Sequence, residues 1–151
     1  IISQLKNYLI IRTNFFGWGT KSRKSLSDFI IENLKKKKNI YMYKDIYFNP
    51  LNVENLIYYI IKLNALKFRG IFNLGSDQRI SKYNFALKIA SQFKFEKKLI
   101  KPINFIKKRN KAKRPLNMFL SNNKLKKSLK ITNINIYDEI LKLKRSNEKS
   151  R

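Results

Sequence analysis

Two glycines near the start of the chain have the spacing of a phosphate-binding loop. Gly17 and Gly19 follow an apolar run and precede a predicted helix, where a dinucleotide-binding protein places its glycine-rich turn. That turn also needs a third small residue, for close packing of helix on strand, and an acidic residue about 20 positions later. Ser22 occupies the third position, and lysines occupy positions 35–38. We therefore interpret Gly17 and Gly19 as an ordinary turn.

Tyr58 and Lys62 have the spacing of a catalytic acid–base pair. In short-chain dehydrogenases a lysine at this distance lowers the pKa of the tyrosine phenol, which then exchanges a proton with the substrate. The chain holds eight tyrosines, and most of its 35 basic residues are lysine, so one such spacing is expected by chance. The pair also lies beside a predicted core stripe of a helix. We interpret it as a chance match.

Candidate ligand-binding residues lie at two places. Asn14 ends a predicted buried strand, and α/β proteins bind ligands at the carboxyl ends of parallel strands. The alternative is a side chain that bonds to its own turn. Trp18, in the same loop, could stack on a ligand ring or cap the core. Arg114 precedes Pro115 and could hold a diphosphate with its fork of N–H donors, the alternative being a solvated loop arginine.

The composition excludes several classes of enzyme. The chain of 151 residues contains no cysteine and no histidine. Disulfides, thiol nucleophiles and cysteine-based zinc sites are therefore excluded, and so are the Ser-His-Asp and Cys-His hydrolases. We predict no metal site and no catalytic residue on this chain.

The net charge of +26 has two explanations. A basic surface attracts nucleic acids and other polyanions. However, the chain is also rich in Ile, Asn, Phe and Tyr, which share A/T-rich codons with Lys. A drift in base composition would raise all of them together, so the charge by itself is weak support for a nucleic-acid partner.

Alternating strand and helix patterns predict an α/β fold. A β-rich run at 8–16 predicts a buried, parallel strand, and Ser25 with Asp28 predicts a capped helix with Leu26, Phe29, Ile30 and Leu34 on one face. Asn52 is predicted to cap a helix over 53–64 whose apolar face is Val53, Leu56, Ile57, Ile60 and Ile61. Further strands are predicted at 40–43 and 70–75, and further helices after Ser81 (with the stripe Phe85, Ala86, Ile89, Ala90 and Phe93), over 122–129 and over 136–143.

Five segments, in order along the chain, resemble the carboxyl-terminal part of the extended short-chain dehydrogenase/reductases. They are I-R-T-N-F-F-G at 11–17, D-x-x-x-x-P-x-x-V-x-x-L at 45–56, G-I-F-N-L-G-S-D at 70–77, I-S-K-Y-x-F-A at 80–86, and R-P-L-N with L and K-L at 114–125. The last of them is similar to the ending of dTDP-4-dehydrorhamnose reductases and their NAD(P)-dependent sugar-nucleotide relatives. In that family the glycine-rich cofactor loop and the catalytic Tyr-x-x-x-Lys pair precede the first of these segments.

The resemblance implies the last elements of a Rossmann-type parallel sheet and a small mixed α/β substrate-binding lobe over 1–145, with a polar tail at 146–151. It implies the substrate-binding portion of a sugar-nucleotide reductase or epimerase, inactive alone. Asn14 and Arg114 would hold the sugar diphosphate, and Phe15, Phe16 or Trp18 would line the sugar pocket. Arg12 and Thr13 would lie nearest the cofactor.

The same resemblance sets the expected partners. They are a nucleotide sugar, the missing amino-terminal half that binds NAD(P), and a second copy in a homodimer. We expect this chain to bind no cofactor alone, to contact no membrane and to be cytoplasmic. Two alternatives remain: a non-catalytic regulatory protein on the same fold, and a basic module that binds nucleic acid without specificity.

We predict that any binding of DNA or RNA is non-specific. Lysine outnumbers arginine more than threefold, and base-edge readout favours the fork of arginine. Titration against unrelated duplexes and single strands should show an affinity that falls steeply between low salt and about 0.2 M salt, whatever the sequence. A tight complex at the higher salt that prefers one sequence by about a hundredfold would contradict this prediction.

Overall fold

The computed structural model describes residues 7–20, 22–105 and 115–149. Short strands and helices alternate along them, as predicted for the α/β class. The strands are β1 (Leu9–Thr13), β2 (Phe15–Phe16), β3 (Ile40–Tyr43), β4 (Tyr47–Phe48), β5 (Leu51–Asn52), β6 (Gly70–Leu74), β7 (Ile80–Ser81) and β8 (Ile100–Ile103). The helices are α1 (Leu26–Lys35), α2 (Val53–Ala65), α3 (Lys82–Phe93), α4 (Asn123–Leu129) and α5 (Ile136–Lys149).

The described strands pair two by two. β1 is parallel to β6, with Ile10 opposite Ile71; β2 is parallel to β5; β3 is parallel to β8; β4 is antiparallel to β7. The parallel strand predicted at 8–16 is confirmed, but it divides at Asn14. The two parts pair with different strands, and the carbonyl of Asn14 accepts a hydrogen bond from the backbone N–H of Leu51 at 2.9 Å.

Two apolar cores hold these pairs together. One lies between α1, α3, α5 and the β3–β8 pair. Its fully buried side chains include Phe85, Ile30 and Leu143. The other lies between α2, α4 and one face of the β1–β6 pair, around Leu63 and Phe72. The first core therefore lies among α1, α3 and α5, and the second packs against the parallel strands β1 and β6.

The predicted helix starts are confirmed. Ser25 and Asp28 form a capping box, in which the Ser25 Oγ accepts from the Asp28 N–H and the Asp28 carboxylate accepts from the Ser25 N–H. Asn52 accepts from the N–H of Glu54 at the start of α2, and Ser81 caps α3. Each side chain satisfies a backbone donor that has no partner inside its helix.

The apolar face predicted for α2 is wrong by about one position around the helix. Ile57 and Ile61 are 52% and 63% exposed, whereas Asn55 and Tyr59 are buried. The cause is a polar contact, because Asn55 donates a hydrogen bond to the buried carboxylate of Glu139. That bond draws a polar residue inward and turns two isoleucines outward. The face predicted for α1 is shifted in the same way, with Ile31 buried and Phe29 44% exposed.

The carboxyl-terminal helix is longer than predicted. The pattern at 136–143 predicts a helix, and α5 continues to Lys149. Asp138 and Glu139 lie in its first turn, where acidic side chains favour the helix dipole. Among the residues that the structure describes, no helix is long and apolar enough to cross a bilayer.

Four helices end at a lysine in the left-handed conformation. Lys37, Lys67, Lys94 and Lys130 have φ between 53° and 59°. In each case the next residue closes a Schellman-type turn, as when the N–H of Phe95 donates to the carbonyl of Ala90 at 2.8 Å. Glycine is the usual residue here, because the Cβ of any other residue crowds the backbone. These four ends are therefore strained.

We predict that Lys94→Gly and Lys130→Gly stabilise the protein. Each removes a left-handed side chain and should raise the free energy of unfolding by roughly 0.5–1 kcal/mol, less than the full strain because glycine is more flexible when unfolded. Urea titration would measure the change. Lys88→Gly, in the exposed middle of α3, is the control and should lower stability by about 1 kcal/mol. A loss of stability in both end variants would contradict the strain.

Candidate functional site

A cavity of about 470 Å³ opens where β2 ends and α1 begins. Phe15 and Trp18 line one side of it, Leu26 and Val53 add aliphatic surface, and Arg23 and Lys24 line it as well. An aromatic wall beside cations suits a ligand with an apolar ring face and a negative group. We treat this cavity, called the Trp18 pocket below, as the candidate functional site.

The aromatic residues of the Trp18 pocket have different roles. Successive side chains of an extended strand point to opposite faces. Phe15 is 61% exposed, whereas Phe16 is 2% exposed and packs edge-on against Phe85 with ring centroids 5.0 Å apart. Phe16 therefore anchors the pocket in the core, and Phe15 presents its ring to solvent.

Two contacts fix the indole of Trp18 in place. Its Nε1–H donates to the carbonyl of Leu143 at 3.0 Å, and its ring packs edge-on to Phe93 at 6.4 Å between centroids. The two partners lie on helices α5 and α3. A ligand in the pocket would therefore meet a ring that is already fixed, which lowers the entropy cost of binding.

The turn predicted at Gly17 and Gly19 is confirmed, and its geometry shows why it is not a phosphate loop. The Asp28 carboxylate accepts from the N–H of Gly19 and the N–H of Ser25, both at 2.8 Å. The backbone donors that would bind a phosphate are thus already occupied by an anion. A Cβ at Gly17 would lie 2.6 Å from the side chain of Val53, so glycine is needed there for packing.

Two cations of the Trp18 pocket were not predicted from the sequence. Lys24 forms an ion pair with Glu32. The exposed guanidinium of Arg23 makes no hydrogen bond or ion pair with residues 7–20, 22–105 or 115–149. The available signal was a basic pair directly before a helix N-cap, which the sequence analysis did not use.

The other predicted substrate ligands lie near the segment at 115–122, which follows Arg114 in the chain. Arg114 itself lies outside the described residues. The side-chain amide of Asn14 donates to the carbonyl of Met118 at 2.7 Å. The sequence left two possibilities for Asn14, a free ligand-binding group or a side chain that bonds to its own turn. The structure shows neither, because the bonded partner is 104 residues away.

Side-chain amides from the ends of several strands hold the 115–122 segment in place. Asn49 is completely buried; its Nδ2 donates to the carbonyls of Ser76 and Leu120, and its Oδ1 accepts from the Leu120 N–H at 3.0 Å. Asn73 donates to the carbonyl of Ser121. The segment is therefore fixed over the carboxyl ends of β1 and β6, the edge where α/β proteins bind ligands.

The predicted cofactor residues lie at the same edge of the β1–β6 pair. Arg12 is exposed, and the Oγ1 of Thr13 is buried with no hydrogen-bond partner among the described residues. Neither supplies a cradle of backbone N–H groups for a dinucleotide diphosphate. The N–H groups of Gly19 and Ser25 are bonded to Asp28, so this turn offers no free pair of backbone donors to a dinucleotide diphosphate.

The buried carboxylate of Glu139 bonds to the backbone next to Val53, on one side of the Trp18 pocket. Glu139 of α5 is 3% exposed, and it accepts from the backbone N–H of Asn52 at 2.7 Å, directly before α2. Burial raises the pKa of this carboxyl above its usual value, against the lowering effect of the hydrogen bonds from Asn52 and Asn55. The junction between β5 and α2 is thereby tied to the carboxyl-terminal helix.

Tyr58 and Lys62 lie on the outer surface of α2, away from the Trp18 pocket. The Nζ of Lys62 donates to the Tyr58 hydroxyl at 3.3 Å, and Tyr58 is 53% exposed. Its neighbour Tyr59 is buried, and burial with the nearby Glu139 raises its pKa to about 12. A phenol with so high a pKa is a poor proton donor near neutral pH.

Parallel strand pairs with helices packed on them give the described residues a Rossmann-like α/β fold. A family model described as the RmlD substrate binding domain matches residues 1–143. The chain therefore belongs to the RmlD substrate-binding domain family. No curated protein matches it by sequence.

Solved structures show the same fold. The dTDP-4-dehydrorhamnose reductase of Bacillus anthracis, in complex with NADP, has a TM-score of 0.81 at 20% identity, over 92% of this chain and 48% of that one. The Clostridium acetobutylicum reductase has a TM-score of 0.80 at 20% identity, over 93% and 49%. A hypothetical reductase of Sulfolobus tokodaii is 28% identical, with a TM-score of 0.67, over 82% and 42%. The chain thus spans about half the length of these reductases.

We predict that Asn49→Ala destabilises the protein strongly. The substitution leaves two carbonyls and one N–H without their buried partner, and should lower the free energy of unfolding by about 3 kcal/mol. Urea unfolding followed by tryptophan fluorescence would measure this. The control is Asn33→Ala, which removes an exposed amide bonded to the Phe29 carbonyl and should change stability by less than about 0.5 kcal/mol. Equal effects would show that Asn49 is not an anchor.

Proposed function

We propose that this chain is the substrate-binding portion of an NAD(P)-dependent sugar-nucleotide reductase or epimerase, similar to dTDP-4-dehydrorhamnose reductase. The observation that carries the proposal is the Trp18 pocket, with a fixed indole, an exposed phenyl ring and a guanidinium that has no partner among the described residues around one cavity. Membership of the RmlD substrate-binding domain family supports it.

In this proposal the pocket binds the two ends of a sugar nucleotide by different forces. The apolar face of a sugar packs on Phe15 and Trp18, while the diphosphate pairs with a guanidinium, the side chain best suited to a bidentate contact with phosphate. Arg23 is the first candidate for that contact, and Arg114 is the second. Asn14 offers its remaining Oδ1 to a sugar hydroxyl, since its Nδ2 is bonded to Met118.

In the complete enzyme we expect most contacts to NAD(P) to come from residues other than the described ones. The solved reductase of Bacillus anthracis is a complex with NADP. In a complete enzyme the nicotinamide would supply hydride to a keto-sugar carbon. We assign no catalytic residue to this chain, whose part is to hold and orient the sugar nucleotide. Arg12 and Thr13 would border the cofactor side of the pocket.

Trp18 makes the proposal directly testable, because it is the one tryptophan in the chain. Titration with dTDP-glucose or UDP-N-acetylglucosamine should change its fluorescence saturably. Arg23→Gln should raise the Kd about tenfold, since a charged hydrogen bond contributes about 1.5 kcal/mol or more. Arg69→Gln removes an exposed guanidinium that bonds to the carbonyl of Phe68, and should leave the Kd unchanged.

Single-stranded DNA is the competitor that separates this function from the alternative of a basic nucleic-acid module. We expect DNA at about 0.2 M salt to leave the sugar-nucleotide titration unchanged, because unspecific phosphate contacts weaken steeply with salt. Absence of a saturable signal, or equal losses in Arg23→Gln and Arg69→Gln, would sink the proposed function.

A further inference from the structure

A second cavity, of about 480 Å³, lies between the amino-terminal parts of α2 and α5. None of the residues that line it lines the Trp18 pocket. Its volume is in the range of small-molecule sites in proteins, which is about 300–1,000 Å³. We call it the Tyr59 cavity. The proposed function makes no use of this cavity.

The charged groups that line the Tyr59 cavity are mostly acidic. They are the carboxylates of Glu54, Asp138 and Glu139 and the ammonium group of Lys142. The chain has 35 Lys and Arg against 9 Asp and Glu, yet none of the three carboxylates forms an ion pair with a lysine or arginine that the structure describes. Lys142 instead donates a hydrogen bond to the side-chain oxygen of Asn55. The cavity is therefore locally negative on a strongly basic chain.

The carboxylate of Glu139 has hydrogen bonds but no counter-ion among the described residues. It is 3% exposed, and its two oxygens accept from the backbone N–H of Asn52 and from the side-chain amide of Asn55. Both donors are uncharged. Carboxylates that are almost fully buried are normally paired with a cation. A positively charged ligand in the Tyr59 cavity would supply the missing counter-charge.

Tyr59 is a second, independent indication of a ligand. It is 9% exposed and lines the cavity, and its hydroxyl makes no hydrogen bond with the residues that the structure describes. Burial, and then the nearby charge of Glu139, raises its pKa to about 12, so the hydroxyl oxygen lies on the carboxylate side of the cavity. Buried tyrosine hydroxyls normally have a hydrogen-bond partner. The dipoles of α2 and α5 favour acidic side chains in their first turns, but they do not explain a buried hydroxyl without a partner.

We propose that the Tyr59 cavity binds an alkyl diamine in its doubly protonated form. Three carboxylates against one ammonium group leave two negative charges to be balanced. Each ammonium group of the ligand carries three N–H donors, which suit the carboxylate oxygens and the Tyr59 hydroxyl. The rings of Tyr58 and Tyr59, with centroids 5.4 Å apart, and the side chain of Ile134 offer apolar surface to the methylene chain. Among the described residues no group of three acidic side chains is placed to hold a metal ion, which favours an organic cation.

Calorimetric titration of the whole chain with 1,4-diaminobutane tests the proposal. We expect saturable binding at one site per chain, because a net charge of +26 repels cations everywhere except at a local cluster of carboxylates. 1-Aminobutane, with one charge, should bind at least about tenfold more weakly, and 1,4-butanediol, with none, should not bind. No saturable binding of the diamine, equal binding of the diol, or displacement of the diamine by an equal concentration of magnesium chloride would overturn the proposal.

Paired variants make the test specific to the Tyr59 cavity. Glu54→Gln with Asp138→Asn should raise the Kd for 1,4-diaminobutane at least about tenfold, since it removes two of the carboxylates. Glu32→Gln with Glu96→Gln removes two carboxylates that already pair with lysines elsewhere and should leave the Kd unchanged. Tyr59→Phe keeps the ring in the core and should raise the Kd about fivefold through loss of the hydroxyl alone. Equal losses in the two pairs, or an unchanged Kd in a Tyr59→Phe variant that unfolds cooperatively, would also overturn the proposal.

Discussion

The carboxamide of Asn49 ties the segment at 115–122 to the chain after β6, beside the backbone bridge between Tyr47 of β4 and Asn117. The described strands pair only in twos, so the sheets cannot by themselves carry order across the molecule. Asn49 is completely buried and bonds to Ser76, just after β6, and to Leu120, in the segment at 115–122. Because a buried carbonyl without a partner costs about 1–3 kcal/mol, these bonds hold the 115–122 segment at one position. The ligand edge of the molecule depends on that position.

A few hydrogen bonds also hold the Trp18 pocket together. Asp28 closes the glycine turn from one side, and Glu139 ties the start of α2 from the other. Between them the indole of Trp18 is bonded to the last helix. The contacts of Glu139 and Trp18 join segments far apart in the chain, so these sides of the pocket depend on the tertiary fold. A fixed indole with Arg23, whose guanidinium has no partner among residues 7–20, 22–105 and 115–149, gives the pocket a surface suited to an anionic ligand.

The charge of the chain has a structural counterpart in its helix ends. Lysine stands in the left-handed position of four helices, where glycine or asparagine would be easier. None of these residues needs to be lysine for any contact that forms the pocket. This pattern agrees with a compositional origin of the charge better than with selection for a polyanion surface. Because these helix ends are strained, single substitutions to glycine there should raise the free energy of unfolding.

Local patterns in the sequence determined the elements, and tertiary contacts decided the site. The caps at Ser25, Asn52 and Ser81 follow from hydrogen bonds within a few residues, so sequence predicts them. The family resemblance, carried by five short segments, was likewise visible in the sequence. The buried face of α2 was not, because Asn55 is drawn inward by Glu139, which lies 84 residues away. Nor could sequence show that Asn14 bonds to Met118 or that Arg23 lines the same cavity as Trp18, since those facts depend on which distant groups the fold brings together.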